Sequence, residues 1–450
     1  MKILIVNGSP AGEGSITLQT ALYLEKLFPE HEYEHIDAAK KIILLDRDFG
    51  RAKDMLARAE LIIFCYPVYT FLVPAQLHRF IELMKGCGLD FSEKYATQIT
   101  TSKHFYDVTA HGFIRDNCLD MGLGFIRGLS ADMEDLLSKK GRAEAEAFFR
   151  HLLFSVRGGI CERGAAPKEA PATNEASVPE SACVRTSGAR AVIVTDLSGD
   201  DGRLAAMIGR FRAVCRMRTE LVDLGEFRFA GGCLGCFNCA SSGKCIYRDG
   251  FDVLLRDDIQ TADATVYAFS IRDHSMGYRF KLYDDRQFCN GHRTVTMGKP
   301  VGYIVDGALS EESNLRMLIE ARAEVGGNYL ARIACSEGDT DREIDLLAAE
   351  LEYAVENSYS TPANFYGVGG MKIFRDLIYT MQGLMREDHR FYREHGFYDF
   401  PQKRRGRIAG MYLVGSMMKN KKLAKKLGGN MTKGMLLPYR SVIERAGKRK

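Results

Sequence analysis

No uncharged apolar run in this 450-residue chain reaches the roughly 18 residues that a membrane span requires. Met1 and Lys2 lead straight into Ile3-Leu4-Ile5-Val6, with no room for an export signal before them, so the expectation is a soluble, cytoplasmic protein without a transmembrane segment. Without export, the 12 cysteines do not read as a disulfide framework. Acidic residues almost vanish from residues 401–450, which hold fifteen Lys/Arg and only Glu444. That tail contributes +14 to a net charge of +4, leaving −10 on the rest. No nucleic acid is expected as a partner of the body; an anionic surface or acidic partner would meet the tail, through the lysines of residues 419–426.

What is present alternates strand and helix. Residues 2–6, 33–36, 61–65, 98–101 and 125–126 read as strands, and 15–27, 52–58, 74–84, 112–121 and 133–153 as helices. This order favours a parallel sheet covered by helices on both faces. Residues 157–189 are rich in Gly, Ala, Pro, Glu and Ser and read as a flexible linker. The alternation then restarts, with strands at 190–195, 219–222, 264–270, 301–305 and 329–334 and helices between and after them. The division expected is 1–156, a linker 157–189, 190–361, and a helical basic extension 362–450. It amounts to an internal duplication of a doubly wound α/β domain.

Ligands of open parallel sheets sit beyond the carboxyl ends of the strands. The first such loop, Asn7-Gly8-Ser9-Pro10-Ala11-Gly12-Glu13-Gly14-Ser15-Ile16-Thr17, offers hydroxyls and helix N-terminal N–H groups to a phosphate. It lacks the Gly-Lys-Ser/Thr of a triphosphate loop and the G-x-G-x-x-G of a dinucleotide site. Pro67-Val68-Tyr69 follows the third strand and offers a face for a flat ring, and Thr100-Thr101-Ser102 follows the fourth with polar donors. One phosphate and one planar ring describe FMN.

The N-G-S-P loop followed by Y-P-V-Y-x(4)-P-A-Q-L-H-R-F resembles the flavodoxin-like NAD(P)H-dependent FMN reductases and quinone reductases. The resemblance implies an α/β fold of two flavodoxin-like parallel-sheet domains with strand order 2-1-3-4-5, and NAD(P)H as co-substrate. It places Ser9, Pro10, Ser15, Ile16 and Thr17 on the phosphate, and Pro67, Val68, Tyr69, Thr100, Thr101 and Ser102 on the flavin ring.

Cys233-x2-Cys236-x2-Cys239-x5-Cys245 sits in a Gly-rich stretch of the second half. Thiolates at this spacing can wrap a cubane cluster. The run, with Asp249 and Lys281-x3-Asp285-Arg286 after it, resembles the compact motif of the iron–sulfur flavoproteins, which implies a [4Fe-4S] cluster. A structural zinc and a metal-free loop remain alternatives. Cys65, Cys87, Cys118, Cys215, Cys289 and Cys335 read as buried small hydrophobes.

The second half carries Asp196, Asp200 and Asp201 where a phosphate would bind, and Ile271-Arg272-Asp273 in place of Pro-Val-Tyr, so only the first half is expected to hold flavin. The cluster of one half is expected to face the flavin of the other. The function expected is an FMN-dependent oxidoreductase moving electrons from NAD(P)H or a reduced redox protein to a quinone-like small molecule or redox partner, with a homodimer as one assembly. A reductase without a cluster and a non-enzymatic electron carrier are the alternatives. No catalytic side chain is assigned, because hydride transfer to a flavin needs positioning more than a dedicated acid or base.

Overall fold

The computed structural model describes residues 1–164, 171–185, 188–197 and 201–418. In the first half the strands are β1 (Lys2–Asn7), β2 (Glu32–Ile36), β3 (Leu61–Pro67), β4 (Tyr95–Ser102), β5 (Gly124–Phe125) and β6 (Leu129–Asp132). The helices between them are α1 (Ile16–Leu27), α2 (Ile42–Arg47), α3 (Gly50–Arg58), α4 (Ala75–Gly86), α5 (Asp107–Asp120) and α6 (Lys139–Gly158). The sheet is wholly parallel in the order β2-β1-β3-β4-β5, and β6 extends the β5 edge along β4. Strands β1 and β3 are apolar on both faces, as a sheet covered by helices on both sides requires.

The second half repeats the plan. Strands β7 (Arg190–Thr195), β8 (Arg218–Asp223), β9 (Ala264–Ser270), β10 (Pro300–Asp306) and β11 (Tyr329–Cys335) form a parallel sheet in the order β8-β7-β9-β10-β11, again 2-1-3-4-5. Its helices are α7 (Gly202–Val214), α8 (Asn238–Ser242), α9 (Phe251–Val253, continued by a π-helical turn over Leu254–Ile259), α10 (Tyr278–Arg286), α11 (Ser313–Gly326) and α12 (Thr340–Asn357). Helices α13 (Phe365–Thr380), α14 (Arg386–Glu394) and α15 (Arg405–Met418) follow.

Both sheets belong to one compact unit, Met1–Phe391, so α13 is part of that unit. The other unit is Tyr392–Lys450, of which α15 exposes Ile408, Met411, Tyr412 and Leu413. The lysines of residues 419–426 lie outside the described residues. No helix among the described residues is long and apolar enough to cross a membrane.

Three differences from the sequence reading have local causes. The helix expected from residue 133 starts at Lys139, because Ser138 caps it by accepting from the Gly141 N–H at 2.9 Å. Helix α2 adds an element that the strand–helix alternation of the sequence does not include. The described part of residues 157–189 is not a free linker: Asn174 N–H reaches the Ser336 carbonyl at 2.8 Å, Cys183 N–H the Ala213 carbonyl at 2.7 Å, and Ala176 is buried in the second core.

Candidate functional site

Asn7, the last residue of β1, shapes the first loop. Its side-chain amide donates to the Gly12 carbonyl at 2.9 Å, and its carbonyl oxygen accepts from the Ser9 N–H at 3.2 Å. Gly12 sits at φ +60°, where a Cβ would be strained and would strike the Lys40 side chain. Ser15 caps α1 through the Leu18 N–H, so the helix N-terminus opens toward Ser9, Ala11, Gly14, Ile16 and Thr17. Thr17 Oγ1 meets Thr101 Oγ1 at 2.5 Å and joins the first loop to the third.

Beyond β3 the chain makes a two-residue hairpin. Tyr69 and Leu72 exchange backbone hydrogen bonds of 2.8 and 2.9 Å, with Thr70 and Phe71 at φ +42° and +67°. Positive φ is costly for a β-branched and a bulky residue, and persists only where surroundings enforce it. Helix α10 of the second half enforces it here. Lys281 Nζ donates to the Tyr69 carbonyl at 3.0 Å and to Thr70 Oγ1 at 2.6 Å, and Thr70 Oγ1 donates to Asp285 at 2.6 Å. Lys281 and Asp285 form a fully buried ion pair. Burial pushes the Asp285 carboxyl upward, opposed by the Lys281 ammonium.

The segment with the four cysteines runs between β8 and α9, and its two ends are clamped by one side chain. Arg286 donates a two-pronged pair of 2.8 Å bonds to Asp249 and one of 2.9 Å to the Gly231 carbonyl, with its guanidinium over the rings of Tyr247 and Phe251. Burial would raise the Asp249 carboxyl, but Arg286 and the Ala230 N–H hold it down to about 2. The middle of the segment lies against the Tyr69–Leu72 hairpin: a Cβ on Gly235 would stand 2.0 Å from the Tyr69 hydroxyl, and Gln76 of α4 donates to the Cys233 carbonyl at 3.3 Å.

These parts enclose a cavity of about 550 Å³. Ser9, Ser15, Ile16, Thr17, Pro67, Val68, Tyr69, Thr101 and Ser102 line it on one side, and Cys233, Cys236, Cys239 and Cys245 on another. Two residues assigned to the flavin do not line it. Thr100 alternates to the opposite face from Thr101 and bonds His111 Nε2 at 2.8 Å, and Pro10 is buried within its loop. Tyr66 is a core residue that bonds Gln98.

The hydroxyls, helix N-terminus and Tyr69 face fit a phosphate joined to a flat ring. The thiol-only donor set, from one short segment, fits iron–sulfur ligation in kind. No three His, Cys, Asp or Glu side chains among the described residues stand in a metal-holding arrangement. Burial pushes the Cys233 thiol up and the Cys239 thiol to about 11.

The remaining wall was not foreseen. Phe288 to Thr296, Tyr303 and Arg322 of the second half line the cavity, as do Ile373, Phe374 and Leu377 of α13 and Met381 just after it. Cys289, read as a core hydrophobe, is buried on this wall, with its thiol raised to about 12 by burial. Its place directly after the Lys281–Arg286 motif was the available signal.

The second half has no comparable phosphate loop among its described residues. Asp201 receives Arg272 at 2.7 Å and the Ser270 hydroxyl at 3.1 Å, and burial raises the Asp196 carboxyl. Ser198, Gly199 and Asp200 lie outside the described residues. The hairpin recurs as Arg272–Ser275, with Asp273 and His274 at φ +52° and +60°. Pro67-Val68-Tyr69 therefore matches Ser270-Ile271-Arg272, one residue earlier than the sequence comparison set it.

Residues 1–106 match the family described as NADPH-dependent FMN reductase. No curated protein matches the chain. Among solved structures, an NADH:FMN oxidoreductase in its apo form is 19% identical over 34% of this chain and 89% of its own, with a TM-score of 0.30. An NAD(P)H:quinone oxidoreductase from Methanothermobacter marburgensis is 13% identical over 37% and 99%, TM-score 0.27. An FMN-dependent NADH-azoreductase from Bacillus anthracis str. Ames Ancestor, in complex with FMN, is 12% identical over 37% and 98%, TM-score 0.28. The N-terminal part of this chain is thus similar to the NADPH-dependent FMN reductases.

Proposed function

We propose that this chain is a cytoplasmic FMN-dependent oxidoreductase that takes electrons from NAD(P)H or a reduced redox protein and delivers them to a quinone-like small molecule or redox partner. In this reading residues 1–156 hold FMN, and residues 190–361 hold a [4Fe-4S] cluster on Cys233, Cys236, Cys239 and Cys245. The observation that carries it is the single cavity lined by both the flavin loops and the cysteine segment.

Bound FMN would supply hydride acceptance and one-electron release. The chain's own residues do the rest. Ser9, Ser15 and Thr17 with the α1 N-terminus would hold the phosphate, and Thr101, Ser102 and Tyr69 would hold the ring. Lys281 and Asp285 keep the Tyr69–Thr70 hairpin in its strained shape. Helix α13 and residues 288–296 restrict water at the reacting face. For a quinone acceptor the overall balance is NAD(P)H plus quinone plus one solvent proton, giving NAD(P)⁺ and hydroquinone.

A second reading, a reductase whose thiols hold no iron, is favoured by the absence of a metal-holding arrangement among the described residues. Loading the full chain with FMN without oxygen and following NAD(P)H oxidation with 1,4-naphthoquinone tests the reductase. FMN-dependent turnover supports it. Reduction only by another redox protein points to an electron carrier, and failure to retain FMN overturns the proposal.

A further inference from the structure

A collar of rings lines the cavity. Tyr69 meets Phe288 with centres 6.0 Å apart, and Phe288 meets His292 at 5.8 Å. His292 meets Phe374 at 4.8 Å, Phe374 stacks on Phe105 at 4.0 Å, and Phe105 meets Phe71 at 4.9 Å. Phe71 returns to Tyr69 within the hairpin, and all six line the cavity. Phe288, His292 and Phe374 lie outside the part that matches the FMN reductase family.

Two guanidinium groups border the collar. Arg293 follows His292, its side chain is 12% exposed, and one of its N–H groups donates to Asp388 at 3.3 Å. Arg322 lies over the Phe71 ring at 5.5 Å and donates to Asp284. Their other N–H donors have no protein partner among the described residues. No Asp or Glu lines the cavity among the described residues, while Lys103, Arg286, Arg293 and Arg322 do. An N–H donor at the cavity wall without a protein partner can receive an acceptor from outside the chain, and a guanidinium fork favours a flat oxyanion.

We propose that this collar is the electron-acceptor subsite and that it selects a planar quinone bearing an anionic substituent, a carboxylate or sulfonate, which Arg293 receives. The inference rests on the flavin reading above and deepens it. A ring of this size packs between aromatic faces, and the charged bond to Arg293 sets its orientation. Phosphates of NAD(P)H share the same chemistry, so the test separates acceptor from donor.

The test uses the FMN-loaded full chain with NAD(P)H and compares 1,4-naphthoquinone-2-sulfonate with 1,4-naphthoquinone. Arg293→Gln is expected to lower the sulfonate-to-neutral ratio of kcat/KM about tenfold, and Arg293→Lys to restore part of it. Calorimetric titration with the sulfonate should show a Kd weakened by about the same factor. A ratio within about twofold of wild type, or an effect confined to the KM for NAD(P)H, overturns the proposal. Arg293→Gln leaves buried Asp388 with fewer partners; if it does not fold, the wild-type ratio must fall with rising ionic strength, and a flat ratio overturns the proposal. No turnover with either quinone overturns both the flavin reading and this inference.

Discussion

Asp285, on α10 of the second half, accepts the backbone N–H of Ala75 at the start of α4 in the first, at 2.7 Å. Glu82 of α4 returns the bond to the Tyr278 N–H at the start of α10, at 3.0 Å. Each helix thus has its N-terminal donor satisfied by the other, as in an isologous dimer interface. The two halves meet as a pseudo-dimer within one chain, and the reciprocal bonds bring the cysteine segment to the Tyr69–Leu72 hairpin.

Removing Lys281 should do more damage than removing the pair. Lys281→Met leaves Asp285 fully buried without its counter-ion, at a cost of about 3–5 kcal/mol, whereas Lys281→Met with Asp285→Leu should recover much of that. Denaturant midpoints measure the stability order. FMN titration should show weaker binding in the single variant, because Tyr69 and Thr70 lose their anchor; equal stability in both variants contradicts this account.

Gly235→Ala should destabilise by about 1–3 kcal/mol, since the residue sits at φ +63° and its new methyl meets the Tyr69 hydroxyl. Tyr69→Phe removes that oxygen. The double variant should therefore cost less than the two single losses added, and a thermal-unfolding cycle measures the coupling. Strict additivity would mean the two residues do not press on one another.

His274 links the halves through Asp120 at 2.9 Å and Glu312 at 2.9 Å. Burial alone would lower its pKa, but the two carboxylates hold it at about 10. The folded chain then keeps a proton that the unfolded chain releases near pH 6.5. This contribution is fully present below about pH 6.5 and is lost as pH rises toward about 10, and after solvent screening it amounts to about 2 kcal/mol. Wild type should lose Tm between pH 6.5 and 9.5 more steeply than His274→Gln; parallel profiles contradict the assignment.

Thr17→Val breaks the hydroxyl link to Thr101 and removes a donor from the loop proposed to hold the phosphate. FMN affinity should fall about tenfold, and thermal stability of the FMN-free chain should change by about 1 kcal/mol or less. An unchanged Kd would remove Thr17 from the flavin site.

Much of the site was legible because its signals are local. Ile3 to Val6 mark a buried strand, Ser15 caps the helix after it, and the four cysteines announce themselves by spacing. Thr100 lies off the cavity because one strand position decides which face a side chain takes, and sequence patterns leave strand ends uncertain. The hairpin shape was hidden because Thr70 and Phe71 are unlikely residues for positive φ; Lys281 and Asp285, over two hundred residues away, impose it. The wall of Phe288, His292 and Phe374 has no periodic signature, and only tertiary packing assembles it.

The proposed function requires flavin and cluster to share one cavity built by the two halves. The anaerobic visible spectrum of freshly purified wild type and Cys236→Ala, before and after reduction, is the measurement that decides it. Wild type should show flavin bands over a broad, bleachable iron–sulfur absorption, and Cys236→Ala should keep the flavin bands and lose the broad absorption. Flavin bands alone in wild type purified and reconstituted without oxygen would contradict the claim.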